Sequence, residues 1–181
     1  KVIDMNCMFE GCCSLAQLDL SSFDTSQVID MYSMFYECYN LASLDVSNFN
    51  TSNVTDMARM FYNCEELTSL DVSNFDTSNV TTMHLMFHGC NKVPVLNTTS
   101  WNTSKVTIMA DMFAYCYNLT TMDLSNFDTS KVTNISGMFK ECHSLTSLDL
   151  SNFDTSQVTD MSYIFDSCTN LISVNMDNSD I

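Results

Sequence analysis

Aspartate recurs at a fixed interval along this chain, and a carboxylate repeated in register is the feature best placed to do chemistry. Asp19, Asp45, Asp71, Asp123 and Asp149 share one phase of a 26-residue period, with Asn97 and Asn175 filling the remaining places. Ser43 and Ser69 stand two residues before this column, and Ser47 and Ser73 two residues after it. On parallel strands roughly 4.8 Å apart, neighbouring carboxylates repel by roughly 1 kcal/mol per pair in water. Such a strip can associate loosely with Ca²⁺, or accept hydrogen bonds from sugars or a basic partner. Alternatively, each Asp bonds nearby Ser hydroxyls or water and keeps an open face soluble. A dedicated calcium site gathers about six to eight oxygens, more than one rung supplies, so weak Ca²⁺ association is the most that is expected, and no cofactor.

Other columns are weaker candidates. Cys12, Cys38, Cys64, Cys90, Cys116, Cys142 and Cys168 repeat in phase, and adjacent rungs lie within reach of a disulfide. They sit among Met and Phe, however, where a free thiol behaves as a small hydrophobe. With Cys7 and Cys13 the total is nine, and no CxxC or paired Cys/His spacing marks a zinc site. His84 and His88 are four apart, a spacing that places two ligands on one helix face, but no acidic third ligand adjoins them. An exposed helix face is expected there. Asp24, Asn50, Asp76, Asn102, Asp128, Asp154 and Asp180 form a second polar column, followed by Thr25, Thr51, Thr77, Thr103, Thr129 and Thr155. Threonine rows can suggest an ice-binding surface, but these flank charged residues at an expected turn.

The elements that must position these columns follow from the repeat. Met8-Phe9, Met34-Phe35, Met60-Phe61, Met86-Phe87, Met112-Phe113, Met138-Phe139 and Ile164-Phe165 keep strict phase through seven units without insertion. A period of this length means one supersecondary unit stacked on copies of itself. Around Leu70-Asp71-Val72-Ser73 the alternation of apolar and polar residues predicts a strand. Val54, Met57, Met60, Phe61, Cys64 and Leu67 predict a short helix over 56–64, with equivalents at 82–90 and every further unit. Thr55-Asp56, Thr133-Asn134 and Thr159-Asp160 suit helix entry. The repeated Phe-Asp-Thr-Ser, as at Phe23 to Ser26 and Phe153 to Ser156, reads as the corner between them. The expected fold is therefore α/β: a leucine-rich-repeat-like solenoid of strand-corner-helix units, parallel sheet on one face and short helices on the other, as one domain over 1–181.

Composition narrows the function. A formal charge of −16, from 22 acidic and 6 basic residues, repels nucleic acid. No run of apolar residues is long enough to span a membrane as a helix. Lys1-Val2-Ile3-Asp4 is no secretory leader and is already repeat, Val2 and Met5 sharing the phase of Val28 and Met31, which suggests a fragment of a longer array. Catalysis needs unlike groups converging in a pocket, whereas a periodic array presents one group along a line, so an enzyme is not expected.

The string running from Leu145 through Leu148-Asp149-Leu150-Ser151-Asn152-Phe153-Asp154-Thr155-Ser156 to Val158-Thr159-Asp160-Met161 resembles the repeats of BspA-like bacterial surface proteins. These are leucine-rich-like units of unknown function found in mycoplasma and Gram-positive surface proteins. The resemblance covers essentially the whole chain. It implies secretion, display at the cell surface or cell wall, and adhesion to a host protein or glycan; a rigid spacer displaying another domain is the alternative. It supplies no catalytic residues.

Overall fold

The structure, a computed structural model, describes residues 1–176. Its chain winds as 26-residue coils laid one upon the next. The N–H groups of Thr55, Thr81, Thr107 and Thr133 donate to the carbonyls of Ile29, Thr55, Thr81 and Thr107, each at 2.9 Å. On the Met-Phe side the bonds run the other way: Ser33, Phe35 and Glu37 donate to Ala58, Met60 and Tyr62 of the following coil at 3.0, 2.9 and 2.7 Å. A series of isolated parallel bridges links Asp4, Asp30, Asp56, Thr82, Ile108, Asn134 and Asp160 in order.

The helices expected over 56–64, 82–90 and their equivalents do not form, and the described residues contain no helix, so the α/β leucine-rich-repeat-like solenoid is overturned. Two features of the backbone explain this. Arg59 and Asn63 have φ of 59° and 54°, and the same two positions turn left-handed in the other coils, as at Leu85, Tyr115 and Glu141; a right-handed helix cannot pass through them. In addition, alternate N–H groups on this arc are committed to the next coil, whereas a helix would need them within its own turn. The helix-like spacing of apolar residues has another origin. Met60 donates to Met57, Cys64 to Phe61 and Leu67 to Cys64, so consecutive three-residue turns each return to the interior.

Strands are equally scarce. β1 (Ser147–Asp149) and β2 (Ser173–Asn175) pair in parallel, with Leu148 opposite Val174 and Asp149 opposite Asn175. The segments around Asp19, Asp45, Asp71, Asn97 and Asp123, expected to be strands of the same sheet, are irregular. There the coils touch through single bonds, such as Ala42 N–H to Ala16 and Thr68 N–H to Ala42, both stretched to 3.4 Å. Pro94 occupies the same phase and has no N–H to give.

What fills the coils is one continuous core. Met34, Phe35, Cys38 and Leu41, with their counterparts Met60, Phe61, Cys64 and Leu67, are wholly excluded from solvent. Phe35, Phe61, Phe87, Phe113 and Phe139 stack ring upon ring at 5.6 to 5.8 Å, tilted by no more than 14°, each pair contributing about 0.5–1.5 kcal/mol beyond its buried area.

Candidate recognition surface

The aspartates of the first column do not sit mid-strand; each closes a turn. The Oδ1 atoms of Asp19, Asp45, Asp71, Asp123 and Asp149 accept the N–H of Ser21, Ser47, Ser73, Ser125 and Ser151 at 2.9 to 3.0 Å. This side-chain-to-backbone turn bends the chain within two residues. Ser47 and Ser73, expected as outward neighbours, thus serve the turn itself, while Ser43 and Ser69 lie exposed beside the column. Asn97 makes the same bond to Thr99 at 3.3 Å and leaves a neutral gap in the strip.

These bonds settle the electrostatics. Hydrogen bonds from the hydroxyl and then the N–H of the following serine hold Asp45, Asp71, Asp123 and Asp149 below the usual carboxylate range; at Asp19 the Ser21 N–H leads. The repulsion expected along the column does not raise any of them. Bonding that favours the charged form outweighs it. The strip is therefore anionic and exposed. Its surface is grooved between coils: a cleft of about 170 Å³ runs between Asp19 and Asp45, and one of about 250 Å³ between Asp123 and Asp149. A shallower hollow is bounded by Asp45, Asp71, Val95 and Asn97.

Two further columns use the same turn. Asp24, Asp76, Asp128 and Asp154 accept from Ser26, Ser78, Ser130 and Ser156, and Asp30, Asp56 and Asp160 from Tyr32, Ala58 and Ser162. The second set is where helix entry was expected; it caps turns instead. Asp180, last of the corner column, lies outside the described residues.

The threonines after the corner are buried and structural, which removes the ice-binding idea for them. Thr77 and Thr103 donate to the carbonyls of Asn102 and Asp128 and accept the N–H of the same two residues at 2.8 Å. Asn48, Asn74, Asn126 and Asn152 clamp adjoining coils in a comparable way, their amides donating to two or three carbonyls of the preceding coil. The sequence signal for these clamps was the regular Ser-Asn-Phe-Asp-Thr string, legible as a corner but not as a cross-coil bond.

Cys38, Cys64, Cys90, Cys116 and Cys142 are buried, and each Sγ donates to the carbonyl of a Phe, as Cys64 does to Phe35 at 3.2 Å. Burial pushes the Cys38 thiol up to about 11 and that of Cys116 to about 12. His84 and His88 are half-buried on a turn, not on an exposed helix face. The Nδ1 of His84 bonds the Ala110 carbonyl at 2.9 Å, and His88 stacks on Tyr62 at 4.6 Å. No group of three His, Cys, Asp or Glu that could hold a metal ion gathers among the described residues. Trp101 fills the corner of the usual Phe, its Nε1 donating to the Val72 carbonyl at 3.1 Å.

Stacked coils with repeated turn chemistry and exposed acidic columns define a repeat protein. The family model described as Mycoplasma protein of unknown function, DUF285, matches it twice, over residues 1–95 and 90–180, and the chain belongs to that family. No curated protein matches the chain.

Proposed function

We propose that this chain is a non-enzymatic recognition module of a bacterial surface protein, binding a host protein or glycan through the strip of Asp19, Asp45, Asp71, Asp123 and Asp149. The observation that carries this reading is the grooved acidic face: carboxylates held ionised by their serines, exposed, with clefts between Asp19 and Asp45 and between Asp123 and Asp149. A ligand with regularly spaced basic groups or hydroxyls fits such a periodic surface, and Ca²⁺ bridging an acidic sugar to the strip is compatible with it at weak affinity. The kinship suggested by the Leu145 to Met161 string with BspA-like surface proteins supports extracellular display. The repeated geometry argues against catalysis, because the clefts along the strip present the same carboxylates and hydroxyls from coil to coil rather than unlike groups converging in one pocket.

The test is capture of glycans and extracellular-matrix proteins by the isolated chain, followed by the double variant Asp45→Asn, Asp71→Asn. Asn97 and Asn102 already close the same turn with an amide, so the fold is expected to persist. Capture of a basic or cation-bridged ligand should weaken, and more so at low salt, where charge contacts are least screened. Equal binding by both proteins at low and high salt would remove the strip from the reading. Failure of the isolated chain to capture any ligand would favour a rigid spacer.

A further inference from the structure

We propose that the hollow bounded by Asp45, Asp71, Val95 and Asn97 anchors a protein partner by one arginine or lysine side chain, the aliphatic stem lying on Pro94 and Val95 and the charge meeting Asp45 and Asp71. The inference rests on the acidic strip as the recognition face and narrows its ligand to a basic protein segment. The repeat departs from its own pattern at this place. Where Pro94 stands, other coils have Thr68, Thr120 and Thr146, and where Val95 stands they have Ser43, Ser69 and Ser147. Ala42, Thr68 and Thr120 each donate their N–H to the preceding coil at this phase. Pro94 has no N–H to give, so the Thr68 carbonyl receives no bond from the described residues. The adjoining Val95 is 52% exposed at a position that elsewhere carries a hydroxyl. A hollow of about 500 Å³ lies beside this break in the pattern.

Its lining combines two kinds of surface. Pro94 and Val95 are apolar and exposed, and Leu44 and Leu70 extend the apolar lining into the core. The two preceding coils bring Asp45 and Asp71, whose serine bonds favour the charged form, while Asn97 ends the run of charge. The ion pairs among the described residues join Lys92 to Glu66, Lys140 to Asp166 and His143 to Glu141, and none reaches Asp45 or Asp71. Exposed aliphatic surface beside uncompensated negative charge selects a ligand that is apolar along its length and cationic at its tip. Lysine and arginine side chains have that form, laying their methylene stems on apolar surface while the head keeps its charge in water. The arginine fork also matches a carboxylate with two parallel donors. Small-ligand pockets bury about 70–90% of what they hold; this hollow is shallow, so its occupant is a side chain presented by a larger partner. A sugar fits less well, because no aromatic ring lines the hollow to receive its flat C–H face. The formal charge of −16 draws basic partners to the molecule at long range.

Nuclear magnetic resonance titration of the whole chain tests this, with three probes: a blocked tripeptide of arginine between two glycines, the same peptide with uncharged citrulline, and lactose. The arginine peptide should shift the amides of Ser69, Asp71, Val95 and Asn97 to saturation. The citrulline peptide should bind roughly two- to fivefold more weakly, the worth of one exposed charge contact. The double variant Pro94→Thr, Val95→Ser installs the pair found at Thr68-Ser69 and Thr146-Ser147, so the fold should persist while affinity for the arginine peptide falls, although Asp45 and Asp71 keep their charge. Equal affinity in wild type and variant, with shifts spread over the clefts at Asp19 and Asp149, would overturn the hollow as anchor and leave the strip standing as the recognition face. Lactose saturating the same amides in place of the peptide would overturn the basic side chain as occupant. Equal binding of the arginine and citrulline peptides, or no shift at these amides up to the solubility limit of the arginine peptide, would overturn the proposal on the wild-type chain alone, whatever the folding of the variant.

Discussion

His88 continues a column begun by Tyr36 and Tyr62, its ring lying 4.6 Å from that of Tyr62 and 4.9 Å from that of Tyr115. Burial pushes its pKa down from 6.5 to about 4, with the nearby charges of His84 and Lys140 adding to the effect, and its Nδ1 is buried without a partner. The folded state therefore resists the proton that the unfolded chain accepts. Stability associated with this residue is intact above about pH 6.5 and is lost progressively as pH falls towards 4. His88→Tyr, which restores the residue type of the two preceding coils, should flatten that window, measured as the denaturation midpoint at pH 7 and pH 4.5. An equal drop in both proteins would show that His88 does not set it. The cysteines give a second expectation at this scale. Native thiol titration should leave Cys38, Cys64, Cys90, Cys116 and Cys142 unlabelled, because they are buried and bonded to carbonyls, while exposed Cys13 reacts. Rapid labelling of more than the exposed and half-buried thiols would refute the placement.

The coil is built from turns, and the bonds between coils depend on side chains as much as on backbone. Thr103 shows this most clearly: its hydroxyl both donates to the Asp128 carbonyl and accepts the Asp128 N–H. Thr103→Val keeps the shape and strands both groups, so a loss of about 1–3 kcal/mol is expected, with Thr103→Ser recovering much of it in chemical denaturation. A Val variant as stable as wild type would mean that water or backbone movement replaces the clamp. Which residues are interior was legible in the sequence, since the phase of Val54, Met57, Met60, Phe61, Cys64 and Leu67 matches their burial. Their secondary structure was not. Spacing by three arises equally from a helix and from a chain of three-residue turns that each come back to the core, and periodicity alone does not separate them. The left-handed backbone at Arg59, Leu85 or Tyr115 carries no residue-type signal, because Gly, the residue that would have betrayed it, stands there only at Gly11, Gly89 and Gly137. The acidic strip was legible as a column; its turn-closing role was hidden by the alternation around Leu70-Asp71-Val72, which looks like a strand but is bent by the bond from Ser73.

At the scale of the molecule, a formal charge of −16 would suggest that protonation relieves self-repulsion and stabilises the fold. The turn chemistry argues for the opposite sign. Asp19, Asp24, Asp45, Asp71, Asp76, Asp123, Asp128, Asp149, Asp154 and Asp160 all lie below the usual carboxylate range because serine bonds favour the charged form. Between the folded and unfolded values the unfolded chain binds more protons, so the contribution of each is present above the unfolded pKa of about 3.9 and lost as pH falls through the folded value. Asp56 and Asp111 run the other way, their pKa values raised chiefly by burial, but two groups stand against ten. Acid should therefore unfold the stack cooperatively below about pH 4, after the separate loss due to His88. Thermal melts of the His88→Tyr variant isolate the carboxylate contribution: the midpoint should hold steady from neutral pH to about pH 5 and fall steeply below about 4. A midpoint that rises on acidification would show that repulsion along the columns, not the turn bonds, governs stability.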